Sequence, residues 1–73
     1  METMLYGSKG EGVAALQELL AAEGFYDGET HGRYDEPTRE AVRRFQAANR
    51  IAPTGIANEQ TQVILAMKSA IVK

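Results

Sequence analysis

The stretch that decides the fold is "GRYDEPTREAV", residues 32–42, because a looser copy of it, "GIANEQTQVIL", follows at residues 55–65. In both copies a glycine is followed by Asp or Asn, then Glu, then Thr, and then a pair of apolar residues. Asp35 and Asn58 are good helix N-caps, since their side-chain oxygens accept hydrogen bonds from free backbone N–H groups of the first turn. Each copy therefore predicts a loop followed by a capped helix, whose first inward-facing residue is a threonine.

An earlier helix is predicted between Gly7 and Gly24, where apolar residues recur every three or four positions. Ser8 and Glu11 have the spacing of a capping box, in which each side chain binds a free N–H of the first turn. Gly24 is placed to end the helix, because glycine readily adopts the left-handed conformation of a helix terminus. The apolar stripe consists of Val13, Leu16, Leu19 and Leu20.

The second helix is predicted to begin at Asp35 or Glu36, with Pro37 in its first turn, and to end near Asn49. The third begins after Asn58 and runs to about residue 70, or frays there. The expected inward positions are Thr38, Ala41, Val42, Phe45 and Ala48 on the second helix and Ile51 in the loop. On the third helix one face is shared by Thr61, Ile64, Leu65 and Lys68, and Met67 and Ile71 extend an apolar strip toward the C-terminus.

These elements predict an all-α fold, a small three-helix bundle built from pseudo-repeated loop–helix units. A chain of 73 residues with 44% hydrophobic residues is suited to a single folded domain, residues 1–73. No disulfide supplements the core, because the chain has no cysteine. A second repeated motif, "VAALQ" at residues 13–17 and "VRRFQ" at residues 42–46, places Gln17 and Gln46 beside the apolar stripes. A buried amide at these positions is expected to bind a loop backbone. The residues expected to be structural are Leu16, Gln17, Phe25, Val42, Phe45, Gln46 and Leu65.

The net charge argues against nucleic-acid binding, and the short apolar runs argue against a membrane-spanning segment. The net charge is −2, and nucleic-acid binders usually carry a basic surface. The connection from Arg50 to Ala57 is also longer than the 3–4-residue turn of a helix-turn-helix motif. No apolar run approaches the roughly 20 residues that cross a bilayer, and the chain has no signal peptide. The chain is therefore either made without export or cut from a longer exported protein.

The order and spacing of short motifs along residues 5–65 closely resemble the peptidoglycan-binding-domain-like family, the three-helix modules of bacterial and phage wall hydrolases. Residues 66–73 form a C-terminal extension beyond that pattern. His31 stands where the family often has Asp, and Arg50 where it often has Gly. The matching residues are Gly7-Ser8 and Gly10, Val13, Leu16-Gln17, Gly24 to Gly28, Gly32, Asp35, Thr38, Ala41-Val42, Phe45-Gln46, Pro53-Thr54-Gly55, Thr61 and Leu65.

The resemblance implies a non-catalytic module that binds peptidoglycan and targets an attached or partner hydrolase to the wall. It places the chain at the cell wall or elsewhere outside the cytoplasm, as part of a larger protein from which it was excised, or in a phage protein. The alternative is a protein–protein or intramolecular docking module without wall binding, as in the metalloprotease propeptides that share the fold. Those propeptides cap zinc with a cysteine, which this chain lacks.

Neither catalysis nor a cofactor is expected. The single histidine, His31, has no second ligand set at metal spacing, and the two serines have no evident catalytic partner. The loop from Asp27 partly matches an EF-hand, but its fifth position is His31 and its twelfth is Thr38 rather than the bidentate glutamate. We therefore expect no metal site and no enzymatic activity.

Wall recognition requires an aromatic face for sugar rings and donors for peptide carboxylates, for which the arginine fork is well suited. Tyr26 and Asp27 follow the first helix, and Arg44 and Asn49 lie on the second, so these residues are expected to share a groove. For each candidate the alternative is an ordinary surface position, or a partly buried ring for Tyr34. The candidate ligand-binding residues are Tyr26, Asp27, Tyr34, Arg43, Arg44, Asn49 and Arg50.

Overall fold

The computed structural model describes residues 1–71 and contains the three predicted helices. They are α1 (Glu11–Ala22), α2 (Glu36–Ala48) and α3 (Glu59–Ile71), and α1 packs against both of the others. The predicted all-α bundle is thus confirmed. Residues 72–73 of the predicted extension, and the side chain of Ile71, lie outside the described part of the chain. Within that part, no helix is both long enough and apolar enough to cross a membrane.

The core contains the predicted structural residues. Leu16, Gln17, Val42, Phe45, Gln46 and Leu65 are buried, and Ile51 is buried as expected. Phe25 is half-buried and packs edge-on against Phe45, with ring centroids 5.5 Å apart.

Ala48, which was expected on the buried face of α2, is exposed. On α2, Val42, Phe45 and Gln46 form the inward face, and a helix brings position 49 rather than 48 next onto that face. The prediction for Ala48 was therefore wrong. Met67 and Lys68 on α3 are also exposed, and Lys68 lies in the last turn, where a cation interacts favourably with the helix dipole.

The starts of α2 and α3 follow the predicted caps. Asp35 Oδ1 accepts hydrogen bonds from the Thr38 N–H (3.2 Å) and from Thr38 Oγ1 (2.7 Å). Asn58 Oδ1 accepts from the Thr61 N–H at 3.0 Å. Both copies of the repeat thus use the same cap-to-threonine contact.

The start of α1 is different, and the predicted capping box is wrong. The helix begins at Glu11 after Gly10, whose φ is 127°, and no side chain caps it. Ser8 Oγ instead accepts a hydrogen bond from the Leu5 N–H at 3.1 Å. Backbone hydrogen bonds to a distant segment explain the difference. The Gly10 N–H donates to the Gly32 carbonyl and the Tyr34 N–H donates to the Ser8 carbonyl, and these bonds hold the segment before α1 extended.

Helices α1 and α2 end in the same way, with crossed backbone hydrogen bonds that satisfy the last carbonyls. After α1, Phe25 N–H donates to Leu20 O (2.8 Å) and Gly24 N–H to Ala21 O (3.0 Å). After α2, Ile51 N–H donates to Gln46 O (2.9 Å) and Arg50 N–H to Ala47 O (3.4 Å). The left-handed residue is Gly24 (φ 86°) in the first case and Arg50 (φ 61°) in the second.

Two buried amides, which we call the glutamine clips, connect each helix to the next loop–helix unit. Gln17 Oε1 accepts from the Gly32 N–H (2.9 Å), while its Nε2 donates to Arg33 O (2.9 Å) and Thr38 Oγ1 (2.8 Å). All three partners belong to the first copy of the repeat.

Gln46 makes the matching contacts in the second copy. Its Oε1 accepts from the Gly55 N–H (2.9 Å), and its Nε2 donates to Ile56 O (2.8 Å) and Thr61 Oγ1 (3.0 Å). The glycine and the threonine of the repeat are therefore the two residues that each clip requires. This confirms that both glutamines bind loop backbone.

Residues 4–9 connect the two loops from the other side. Met4 exchanges two backbone hydrogen bonds with Ala57, of 3.1 and 2.8 Å, and Lys9 forms an isolated antiparallel bridge with Arg33. Both loops are thus held between a buried amide and the N-terminal segment.

Candidate functional site

A groove of about 280 Å³ runs between the end of α1 and the outer face of α2. We call it the α1–α2 groove. Three of the candidate residues from the sequence, Tyr26, Asp27 and Arg44, line it together. The remaining lining residues are Gly24, Phe25, Pro37, Glu40 and Ala41.

Tyr26 forms a fixed wall of the groove. The residue is only 7% exposed, and its hydroxyl donates a 2.6 Å hydrogen bond to the carbonyl of Glu29. The ring lies directly over Gly28, since a Cβ at that position would come within 2.8 Å of the Tyr26 hydroxyl oxygen. The loop therefore needs a glycine at residue 28 for this ring position.

The charged groups of the groove are exposed and open to a ligand. Among the described residues, no carboxylate lies within 4.0 Å of the Arg44 guanidinium, because the nearest acid along the helix, Glu40, is 3.9 Å from Arg43 instead. Asp27 also lines the groove and is exposed. The groove thus offers the Arg44 guanidinium and the carboxylates of Asp27 and Glu40, together with the apolar side chains of Phe25 and Ala41.

Tyr34 is not available to a ligand, and its assignment to the groove is corrected. Only 2% of the residue is exposed, and its hydroxyl donates a 2.7 Å hydrogen bond to the carbonyl of Gly55. Burial raises the pKa of this phenol, so that it remains a neutral donor. Its function is to hold the second loop against the first.

Arg43, Asn49 and Arg50 also lie outside the α1–α2 groove. The stem of Arg43 covers Gly55, where a Cβ would come within 3.0 Å of its Cγ. Asn49 Nδ2 donates to the Phe45 carbonyl at 2.8 Å and so helps to end α2. Arg50 is the exposed left-handed residue after that end.

Sequence reasoning missed five residues of the groove: Gly24, Phe25, Pro37, Glu40 and Ala41. Phe25 and Ala41 had been assigned to the core, and Gly24 to the end of α1. A signal for Pro37, Glu40 and Ala41 exists. Positions 37, 40, 41 and 44 share one face of a helix. This face flanks the buried stripe of α2 and shares Ala41 with it, so it could have been identified as a wall of the groove.

Asp35 is the most strongly engaged carboxylate in the loop that partly matches an EF-hand. Burial opposes its ionisation, but hydrogen bonds from Thr38 and the nearby His31 hold its pKa below the usual range. His31 Nε2 lies 3.1 Å from Asp35 Oδ2. Among residues 1–71, no three His, Cys, Asp or Glu side chains are grouped as a metal site would require.

Residues 9–65 match the model of the peptidoglycan binding domain family. The chain belongs to this family. The match begins within the N-terminal segment that holds the loops and ends at Leu65 of the core, and so it includes both glutamine clips. A search of curated protein sequences gave no significant match.

Solved structures of related proteins have the same fold. The N-terminal domain of SleB is 31% identical, with a TM-score of 0.91, and the match covers 93% of each chain. The endolysin of Burkholderia phage AP3 is 34% identical with a TM-score of 0.84, over 88% of this chain and 24% of the endolysin. A fused Zn-dependent amidase/peptidase/peptidoglycan-binding-domain protein from Clostridium acetobutylicum is 33% identical with a TM-score of 0.84, over 88% of this chain and 28% of that one.

Proposed function

We propose that this chain is a single, non-catalytic domain that binds peptidoglycan in the α1–α2 groove. In the full protein it holds an attached or partner hydrolase at the bacterial wall, outside the cytoplasm. The observation that carries the proposal is the meeting of Tyr26, Asp27 and Arg44 in one groove of a family member. The endolysin and the fused amidase/peptidase, in which the matching domain is a minor part of the chain, support the link to a hydrolase.

The groove has the chemistry that a glycan–peptide polymer needs. The guanidinium of Arg44 can hold a stem-peptide carboxylate through paired N–H donors. Asp27 can accept from sugar hydroxyls or from peptide N–H and ammonium groups. The half-buried Phe25 and the fixed Tyr26 provide apolar surface for the faces of the sugar rings.

Weak binding is sufficient for this function. A second binding event within one protein occurs at an effective concentration in the millimolar range for short flexible linkers. A shallow groove with few donors is therefore adequate for targeting when the enzyme and the module share a chain.

Sedimentation with purified murein sacculi tests the proposal, with cellulose and chitin as controls. We expect the domain to pellet with sacculi alone, and Arg44→Ala to lose that binding while remaining folded. Arg50→Gly is the matched control, because it removes the same charge outside the groove. A folded domain that remains in the supernatant, or equal loss by both variants, would contradict the proposal and favour the protein-docking alternative.

A further inference from the structure

A second cleft, on the other side of the first loop, has features that the α1–α2 groove does not explain. It is shallow, has a volume of about 310 Å³, and is lined by Tyr6, Lys9, Arg33 and Asp35, with the buried Tyr34 at its base. We call it the Tyr6 cleft. It shares no lining residue with the groove proposed to bind peptidoglycan.

Two cations face each other directly in this cleft. Lys9 and Arg33 are an antiparallel bridge pair, flanked by the Gly10 N–H to Gly32 O and Tyr34 N–H to Ser8 O hydrogen bonds. That pattern makes them a non-hydrogen-bonded pair, the arrangement in which opposite side chains lie closest. Like charges at such positions destabilise the pairing.

Nothing within the described residues neutralises these cations. No carboxylate lies within 4.0 Å of either one, since the ion pairs of this region and of α2 involve other side chains. Asp35 lines the same cleft, but its carboxylate is engaged with Thr38 and His31. The backbone thus places Lys9 and Arg33 opposite each other, in a chain whose net charge is negative.

Tyr6 adds an aromatic surface to the charge pair. It is 60% exposed, and its hydroxyl forms no hydrogen bond with any other side chain or backbone group of residues 1–71. An exposed ring beside a cleft suits the C–H face of a sugar, and paired cations suit a phosphate or carboxylate through charge-assisted hydrogen bonds. The two together fit a sugar that carries an anionic group.

We propose that the Tyr6 cleft binds an anionic glycan, with the sugar ring on Tyr6 and its charged group between Lys9 and Arg33. The ligand's charge then removes the repulsion between the cations, so that binding stabilises the bridge. This site is independent of the α1–α2 groove, and its occupation does not require binding of peptidoglycan.

Titration of the ¹⁵N-labelled domain followed by NMR tests the proposal. The probes are oligogalacturonate for a carboxylate source, a glycosylated poly(ribitol phosphate) for a phosphate source, and neutral dextran as the control. We expect one or both anionic probes to shift the amide signals of Lys9, Gly10, Arg33 and Tyr34, and dextran to leave them unchanged. The response should disappear in high salt, which screens such contacts. If neither anionic probe shifts these amides, or dextran shifts them equally, the proposal is wrong.

Lys9→Glu provides the decisive variant, because it reverses one charge of the pair. It should abolish binding and at the same time raise the midpoint of urea unfolding, since an opposite-charge pair then faces Arg33. Tyr6→Ala should weaken binding without this gain in stability, and Lys68→Glu is the control for net charge on exposed α3. Unchanged binding in Lys9→Glu, or a loss equal to that of Lys68→Glu, would overturn the assignment.

Discussion

At the scale of single residues, the glutamine clips are the contacts on which the fold depends most. Gln17 has no exposed surface, and both ends of its amide are engaged with the first loop and with Thr38. A buried polar group that loses its partner costs about 1–3 kcal/mol. A single substitution here affects several such groups at once.

We expect Gln17→Leu to destabilise the domain by about 3 kcal/mol or more, because it leaves the Gly32 N–H and the Arg33 carbonyl without a partner. For a small domain with a total stability of about 5 kcal/mol, this approaches unfolding. Urea denaturation followed by circular dichroism measures the change. Gln62→Leu, at a half-buried position outside the clips, is the comparison, and an equal loss in both variants would remove the special importance of Gln17.

Arg50 occupies the left-handed position after α2, whereas a glycine occupies the equivalent position after α1. A residue with a Cβ at φ 61° is strained by about 1–2 kcal/mol, whereas Gly24 occupies the same position after α1 without that strain. Arg50→Gly should therefore raise the free energy of unfolding by about 0.5–1 kcal/mol, after the entropic cost of glycine. Thermal unfolding monitors this change, and Gly24→Ala is the reciprocal variant, which should lower stability. A loss of stability in Arg50→Gly would mean that its side chain contributes more than the strain costs.

At the scale of elements, the caps of α2 and α3 differ in one chemically useful way, since Asp35 ionises and Asn58 does not. The folded-state pKa of Asp35 is lowered, so its contribution to stability is present above the unfolded pKa of about 4 and is lost as pH falls through the folded value. We expect Asp35→Asn to flatten the pH dependence below about pH 4, because asparagine caps a helix as well as aspartate does.

The reciprocal substitution can be made at the cap of α3. Asn58→Asp should introduce acid sensitivity at α3, which gives a control within the same fold. Urea unfolding midpoints between pH 2 and about pH 7 measure both effects. If Asp35→Asn retains the acid sensitivity of the unmodified chain, other carboxylates are responsible for it.

The elements also explain which features could be predicted from sequence. The caps at Asp35 and Asn58, and the glycine end of α1, depend on contacts within a few residues, and the local pattern contains them. Ser8 and Glu11 also have the local spacing of a capping box, but the box does not form, because the backbone around Ser8 pairs with residues 32–34 instead. Tyr34 was misassigned for the same reason, since its partner Gly55 is distant in sequence.

The candidate site was predicted only in part. Tyr26, Asp27 and Arg44 were correctly brought together, because the end of α1 and the outer face of α2 were both known. Asn49 and Arg50 lie near Arg44 in sequence but beyond the helix end, where the chain turns away from the groove. The opposition of Lys9 and Arg33 depends on backbone register between distant segments, for which the sequence contains no signal.

At the scale of the whole molecule, each of the two loops has a buried glycine that belongs to the core. The amides of Gly32 and Gly55 are buried and each donates to a clip, although both residues lie outside the helices. We expect these two amides to exchange with solvent only through global unfolding, as the most protected helical amides do. Native-state hydrogen exchange at increasing urea tests this, with the exposed loop amide of Glu29 as the unprotected reference. Exchange of Gly32 through a local opening would show that the loop can detach alone.

The pattern of glutamine clips changes in α3. Ser69 follows Gln46 by the same interval that separates Thr38 from Thr61, and so it stands where a third glutamine would be. Its short hydroxyl lies 3.5 Å from Glu23 at the end of α1, and therefore points back to the first helix. In a tandem repeat, each unit is held by its contacts with the neighbouring unit. Within residues 1–71, α3 has no glutamine at the position equivalent to Gln46, and Ser69 at that position contacts the end of α1 instead.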